Sequence, residues 1–371
     1  MITCAPNFPG GKVFDGYRNR LWQEEVIDGI RVVRVWTFIR PNRGFALRIA
    51  DFTSYMLAAT IAAPFIRKAD VVIATSPQFF TAVAGYMVSR MKRIPFIFEV
   101  RDLWPESIKA VGAMRDSAIL RMLERLELFL YRKAARVIVV TNAFKRNLVQ
   151  RGIGSEKIEV VTNGANMAEL APKRKNHKLM QELGLQGKFV SGYLGTLGMA
   201  HGLETVIEAA RLLQERGQDE HRILFIGDGA ERERLQALAS KHHLRNIVFT
   251  GLVPREKIMD YWSLLDICII HLKDTPTFRT VIPSKIFDAM ATGIPMLIGV
   301  DGEARSIVEQ HGCGIFFTPE NAIELTGKLE EIRNTPPRLK EMSQACQRAA
   351  QHYDRTTLAH RMLKIIKTAV Q

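Results

Sequence analysis

The residues best suited to chemistry lie in 281–293, VIPSKIFDAMATG. Pro283 and Ser284 suit the opening of a helix over 285–291: proline is tolerated in a first turn, and a serine hydroxyl can accept from free N–H groups. A helix start holds unpaired N–H donors and partial positive charge, and so receives anions. Ser284, Lys285 and the backbone there can together hold a phosphate, and Asp288, four residues after Ser284, lies on the same face. An ordinary capped helix with a solvated lysine has the same sequence, so this stretch alone leaves both readings open.

Two glycine-rich stretches offer chemistry through the backbone. In GTLGMAHG at 195–202, Gly195, Thr196 and Gly198 follow an apolar run, and small residues there let the main chain approach a ligand closely. Gly227 and Gly229 flank Asp228 as half of a dinucleotide fingerprint, but Arg232 stands where a third glycine belongs, which disfavours NAD. No GxxxxGK[ST] loop is present, which excludes a P-loop NTPase. His201 is either a ligand contact or a loop histidine without a role, whereas His271, after an apolar run, reads as a satisfied core residue. Asp102 and Glu106 bracket Trp104-Pro105, where a carboxylate can take a proton from an acceptor hydroxyl or cap a helix beside Arg101.

These residues need elements to position them. Short apolar runs at 70–75, 94–100, 136–140 and 157–161 read as strands, and helical patterns at 46–67, 117–134 and 143–151 stand between or around them. An alternating run at 29–36 adds a strand, and 1–4 reads as the end of one, with 5–16 as its loop. A polar, lysine-rich stretch at 166–186 reads as a linker. Beyond it the alternation resumes, with strands at 189–194, 223–227, 247–250, 267–270, 296–299 and 314–317. Strands alternating with helices make an α/β fold with parallel sheets, each half doubly wound. In such sheets ligands collect beyond the carboxyl ends of the strands, where all the candidates above fall.

Composition narrows the classes. At 371 residues with 47% apolar and 24% charged residues, the chain has the size and balance of two globular domains. The four cysteines are scattered without a CxxC pair, which argues against a metal site or a disulfide framework. No run of 18 apolar residues suggests a spanning helix. Residues 1–165 carry 25 Lys and Arg against 14 Asp and Glu, a surplus of 11 in a net charge of +14. The basic residues are interspersed with apolar stretches and lack nucleic-acid-binding motifs, which favours an anionic membrane surface over nucleic acid.

The stretches TCAPNFP at 3–9, GKVFDGY at 11–17, FEVRDLWPE at 98–106, VTNG at 161–164 and 281–293 together resemble the family 4 retaining glycosyltransferases. More narrowly they are similar to the branch of N-acetyl-L-fucosamine transferases in bacterial O-antigen and capsule synthesis. The resemblance implies a GT-B architecture of two Rossmann-like, doubly wound domains facing a central cleft: an acceptor domain over 1–165, a linker over 166–186, a donor domain over 187–352, and a terminal helix over 353–371 packing back on the first domain. It also implies that a first strand, a glycine-rich loop and a first helix precede Met1, so the N-terminal domain is expected to lack them. The implied substrates are a nucleotide sugar, expected to be a UDP-sugar, and a polyprenyl-diphosphate-linked saccharide, on the cytoplasmic face of a membrane, with no metal and no other cofactor.

By the same resemblance Gly195, Thr196, Gly198, His201, Gly227, Gly229, Ser284, Lys285 and Asp288 hold the donor. Asn7, Lys12, Phe14 and Arg101 hold the acceptor, and Asp102 and Glu106 are the catalytic carboxylates. The family's pair of acidic residues maps to Thr280 and Asp288, and its diphosphate-gripping Arg and Lys fall near Thr196 and His201, which leaves Lys285 as the cation for that charge. A UDP-N-acetylglucosamine 2-epimerase-like isomerase and an inactive, membrane-binding remnant are the alternatives.

Overall fold

Apolar runs of three to six residues, too short for buried helices, become the strands of parallel sheets. The computed structural model describes residues 1–7, 11–40, 45–66, 68–103 and 118–370, without the side chains of 45, 46 and 48. The chain divides into two units: Met1–Val161 with Met362–Gln371, and Thr162–Arg361.

In the first unit, β1 (Ile2–Thr3), β2 (Trp22–Ile27) and β3 (Ile30–Val35) form one sheet, and β4 (Val72–Thr75), β5 (Phe96–Val100), β6 (Arg136–Val139) and β7 (Ile158–Val160) form another. The second is parallel throughout, in the order β4-β5-β6-β7. Here the structure departs from a single doubly wound sheet. β2 pairs antiparallel with β3 across a tight turn at Asp28-Gly29, both with positive φ, while β1 pairs parallel with β3. The polar run in β2 (Gln23, Glu24, Glu25) hid this strand from an apolar criterion. The helices are α1 (Phe45–Ala62), α2 (Phe79–Lys92), α3 (Ala118–Lys133) and α4 (Asn142–Gln150). α1 is shorter than expected: Pro64 lacks the N–H that an α-helix needs, and a 3₁₀ turn takes over at Ala63–Phe65. β4 is only partly buried, with Ile73 40% exposed, so it is not the fully covered strand its composition suggested.

The second unit is one parallel sheet of β8 (Phe189–Leu194), β9 (His221–Ile226), β10 (Ile247–Gly251), β11 (Ile267–His271), β12 (Met296–Gly299) and β13 (Gly314–Phe316), in the order β10-β9-β8-β11-β12-β13. Counted along this unit the order is 3-2-1-4-5-6, the doubly wound arrangement. Its helices are α5 (His177–Glu182), α6 (Glu204–Glu215), α7 (Arg232–Lys241), α8 (Ile258–Trp262), α9 (Lys285–Thr292), α10 (Glu303–Gln310), α11 (Ala322–Arg333), α12 (Pro336–Ala350) and α13 (Arg355–Val370), the last crossing into the first unit's residues at Met362.

Period-two alternation splits each strand between two cores. Cys268, Ile270, Met296 and Ile298 pack with Ile286, Phe287 and Met290 of α9 and Cys346 of α12. Ile267, Ile269 and Leu297 pack with Val206, Ala210 and Leu213 of α6 and Leu325 and Leu329 of α11. A buried Ile or Leu side chain contributes about 1.5–3 kcal/mol, so two filled faces make this sheet a rigid base for its loops.

Candidate functional site

In a sheet of this order the loops after the two central strands leave on opposite faces, opening a crevice at their carboxyl ends. Those strands are β8 and β11. Their pairing is brief, Ile267 with Ser191 and Cys268 with Gly192, so residues 269–271 of β11 continue without β8 as a partner.

Glycines close-pack the first loop. Gly195 leaves β8 at φ 126°, and a Cβ there would run into Cε of Lys285 and lie 2.7 Å from its Nζ. A Cβ on Gly227, at φ 134°, would collide with the Gly195 carbonyl, and one on Gly229 with the Leu197 carbonyl. Cross-loop bonds fix the stack: Gly195 N donates to Ile226 O at 2.8 Å, and Leu197 N to Asp228 O at 2.9 Å. Among the described residues the backbone N–H groups of Thr196 and Gly198 have no acceptor, which leaves them to an incoming ligand.

Lys285 opens α9. Its Nζ lies 3.5 Å from the Tyr193 hydroxyl and 5.0 Å from that ring's centroid, while the hydroxyl donates to Thr196 O at 2.8 Å. Burial lowers the Lys285 pKa, with Cys268 and Asp288 partly opposing. Burial raises that of Asp288, against the charges of Arg355 and Lys285. His201 stands edge-on to Tyr193 at 5.6 Å between centroids, and burial, reinforced by the Lys285 charge, pushes its pKa down to about 4. The result is one desolvated ammonium, free N–H donors and a carboxylate around the carboxyl ends of β8 and β11. That is chemistry for a polyanion flanked by hydroxyls.

The sequence-expected donor residues Gly195, Thr196, Gly198, His201, Gly227, Gly229, Lys285 and Asp288 therefore converge. Ser284 does not cap the helix as expected. It is exposed, already helical at φ −59° and ψ −24°, and makes no side-chain cap bond. A capping serine needs extended backbone, whereas here the Pro283 and Ser284 carbonyls accept from Ile286 N and Phe287 N at 3.1 and 3.0 Å. Thr280, at the family's first acidic position, turns its hydroxyl to the Thr277 carbonyl at 2.7 Å. Tyr193 is the site residue the sequence did not flag; its position inside the buried strand β8 hid it.

In the first unit, Asn7 Nδ2 donates to Ala5 O at 2.9 Å, Gly11 N to Asn7 O at 2.7 Å, and Phe14 N to Pro6 O at 2.9 Å, so Asn7 and Phe14 share one turn after β1. Lys12 and Phe14 are exposed. Arg101 N and Asp102 N both donate to Ser76 Oγ, at 2.9 and 3.2 Å, at the carboxyl end of β5. Glu106 and Trp104 lie outside the described residues. Among the described residues no cluster of His, Cys, Asp and Glu is suited to a metal ion, and no helix is long and apolar enough to cross a membrane.

The two units have the GT-B fold. Solved structures share the fold: an Anabaena protein, Alr3699/HepE, in complex with UDP and glucose has a TM-score of 0.73 at 20% identity, covering 91% of this chain and 86% of that one. Sucrose-phosphate synthase of Thermosynechococcus elongatus has a TM-score of 0.79 at 16% identity, over 99% and 88%. Residues 8–164 match the glycosyl transferase 4-like domain and residues 175–352 the glycosyl transferases group 1. Together the two matches cover most of the chain and mark it as a glycosyltransferase. Among relatives, the probable glycosyltransferase WbjE of Pseudomonas aeruginosa is 23% identical over 72% of this chain, which spans 66% of that protein's length. WcaI of Escherichia coli (strain K12), whose name places it in colanic acid biosynthesis, is 21% identical over 91% of this chain and 84% of its own length.

Proposed function

We propose that the chain transfers a sugar, with retention at the anomeric carbon, from a UDP-sugar to a polyprenyl-diphosphate-linked saccharide during cell-surface polysaccharide synthesis. UDP-N-acetyl-L-fucosamine is the donor the sequence resemblance favours. The observation that carries the reading is the desolvated Lys285 ammonium beside the Gly195 backbone, where the central strands part. A departing diphosphate develops charge as the glycosidic bond breaks, and preorganised donors in a dry site stabilise that charge most. Lys285 and the Thr196 and Gly198 N–H groups meet the diphosphate, Asp288 the ribose hydroxyls, and Gly227 and Gly229 keep the neighbouring loop out of the way. Asp102, with Arg101, Asn7, Lys12 and Phe14, addresses the acceptor, and the basic first unit rests on the anionic inner face of the cytoplasmic membrane. The Anabaena protein of the same fold, solved in complex with UDP and glucose, supports the choice of nucleotide.

A melting screen with UDP, GDP and NAD tests the donor, followed by incubation with UDP-sugars and a lipid-diphosphate-linked saccharide in anionic vesicles. Stabilisation by UDP and sugar transfer to the lipid are expected. Stabilisation by NAD, or an epimerised sugar from UDP-sugar alone, would overturn the reading.

A further inference from the structure

His271 ends β11 and is 1% exposed. Its Nδ1 lies 2.7 Å from the His201 carbonyl oxygen, and its Nε2 accepts from the Glu320 backbone N at 2.9 Å. A carbonyl only accepts and a backbone N–H only donates, so the bonds fix the tautomer: Nδ1 carries the proton and Nε2 does not. A neutral imidazole thus spends both nitrogens on the main chains of two different loops, one after β8 and one after β13.

The surroundings hold the ring in that role. It stacks on Phe317 at 9° between planes and 5.7 Å between centroids. Two glycines make room for it: a Cβ on Gly202 would meet its Cε1 at 3.1 Å, and one on Gly299 its Cδ2 at 2.5 Å. Glu320 presents its N–H from the left-handed region, φ 63°, which an L side chain adopts only when held there. Parallel bonds run alongside: Lys273 N donates to Ala200 O at 3.0 Å, and Asp274 N to Glu320 Oε2 at 2.9 Å. The β8–β11 ladder ends at Cys268, three residues before His271, so the spacing of the loops beyond it is not set by strand pairing.

We propose that His271 is a positioning residue, a neutral clasp that sets the Gly195–Gly202 loop at the distance from β11 at which its N–H groups and Lys285 converge on one diphosphate. The proposal rests on the reading of this crevice as the donor site. It concerns the diphosphate end alone, because both ring nitrogens are taken by backbone groups of loops.

The test compares His271→Phe, which keeps the packing and the stack but loses both hydrogen bonds, with His271→Asn, whose amide nitrogen can replace the Nδ1 donor. UDP affinity is expected to fall about tenfold in H271F, the loss of a buried hydrogen-bonded bridge. UMP affinity is expected to change little, and H271N to recover part of the UDP loss. Equal losses for UDP and UMP, or a lower melting temperature with UDP affinity unchanged, would overturn the clasp. Amide exchange in the nucleotide-free proteins tests it without a ligand: Glu320 and Lys273 are expected to exchange faster in H271F, and unchanged exchange would also overturn it. Faster exchange in a protein whose parent form binds no UDP would leave the clasp standing and overturn the donor-site reading.

Discussion

Lys285 and Gly195 occupy one another's space: the lysine stem fills the place where any side chain at 195 would stand. The ammonium therefore meets an incoming diphosphate together with the bare backbone of the first loop. Gly195→Ala displaces the lysine and strains a φ of 126°, while Lys285→Met keeps the stem and removes the charge. A hydrogen bond to a charged group contributes about 1.5–3 kcal/mol, so each variant should lose roughly 10- to 100-fold in UDP affinity. Calorimetric titration checks this. Affinity within error of the parent in K285M would separate Lys285 from the diphosphate.

Burial lowers the Lys285 pKa in the empty site, and a bound diphosphate favours the charged form, so binding raises it again. Between the two values binding takes up a proton, and affinity falls as pH rises through the bound-state pKa. Titrating UDP above pH ~8, where its phosphates are fully ionised, in buffers of different ionisation enthalpy reads the uptake directly. It should be present in the parent and absent in K285M; uptake that persists in K285M assigns the proton elsewhere.

His201 and His221 both titrate near 4 in the folded chain because burial disfavours their charged forms, and His271 is lowered for the same reason. The unfolded value is about 6.5, so below it the unfolded chain binds more protons than the folded one. Stability from these residues is complete above pH ~6.5 and is lost as pH falls from there toward about 4. His221 is the cleanest probe: it is 0% exposed, and neither ring nitrogen meets a partner among the described residues. His221→Leu should flatten the melting-temperature profile between pH 7 and pH 4.5. A profile parallel to the parent's would mean that His221 is charged in the folded chain.

The second unit was legible because its strands are short apolar runs and its helices amphipathic, so period alone separates them. The glycines at 195, 227 and 229 were legible as close-approach positions, although the partner each approaches is set by strand order, which no local pattern carries. The strand β3 was legible, but its hairpin partner β2 was missed because the polar run Gln23-Glu24-Glu25 on an edge strand mimics a loop. Only the capping role of Ser284 was misjudged, since a capping residue and a first helical residue share the same neighbours in sequence. His271 was read correctly as satisfied, but its two partners, His201 and Glu320, lie 70 and 49 residues away along the chain.

The proposed chemistry meets the diphosphate charge with Lys285 and backbone donors, which are part of the protein and cannot be chelated. Sugar transfer should therefore proceed at an unchanged rate after dialysis against EDTA, and added magnesium should not raise it. A loss of activity on chelation, restored by a divalent cation, would assign the charge to a metal bound with the donor.

Asp288 lies one turn into α9, its carboxyl raised in pKa by burial and restrained by Arg355 and Lys285. A carboxylate there can accept from both ribose hydroxyls, whereas an amide accepts through one oxygen and sets a donor against the other. Asp288→Asn should weaken UDP about tenfold and leave 2′,3′-dideoxy-UDP unaffected, because only the first ligand offers hydroxyls to lose. The pH dependence follows from the same burial. As pH falls through the raised pKa the carboxyl takes a proton, and the parent's preference for UDP over the dideoxy analogue should shrink toward that of D288N. Affinities for both ligands at neutral and acidic pH give the four numbers needed. Equal losses for UDP and the dideoxy analogue in D288N would place Asp288 away from the ribose and make it a support for Lys285 instead.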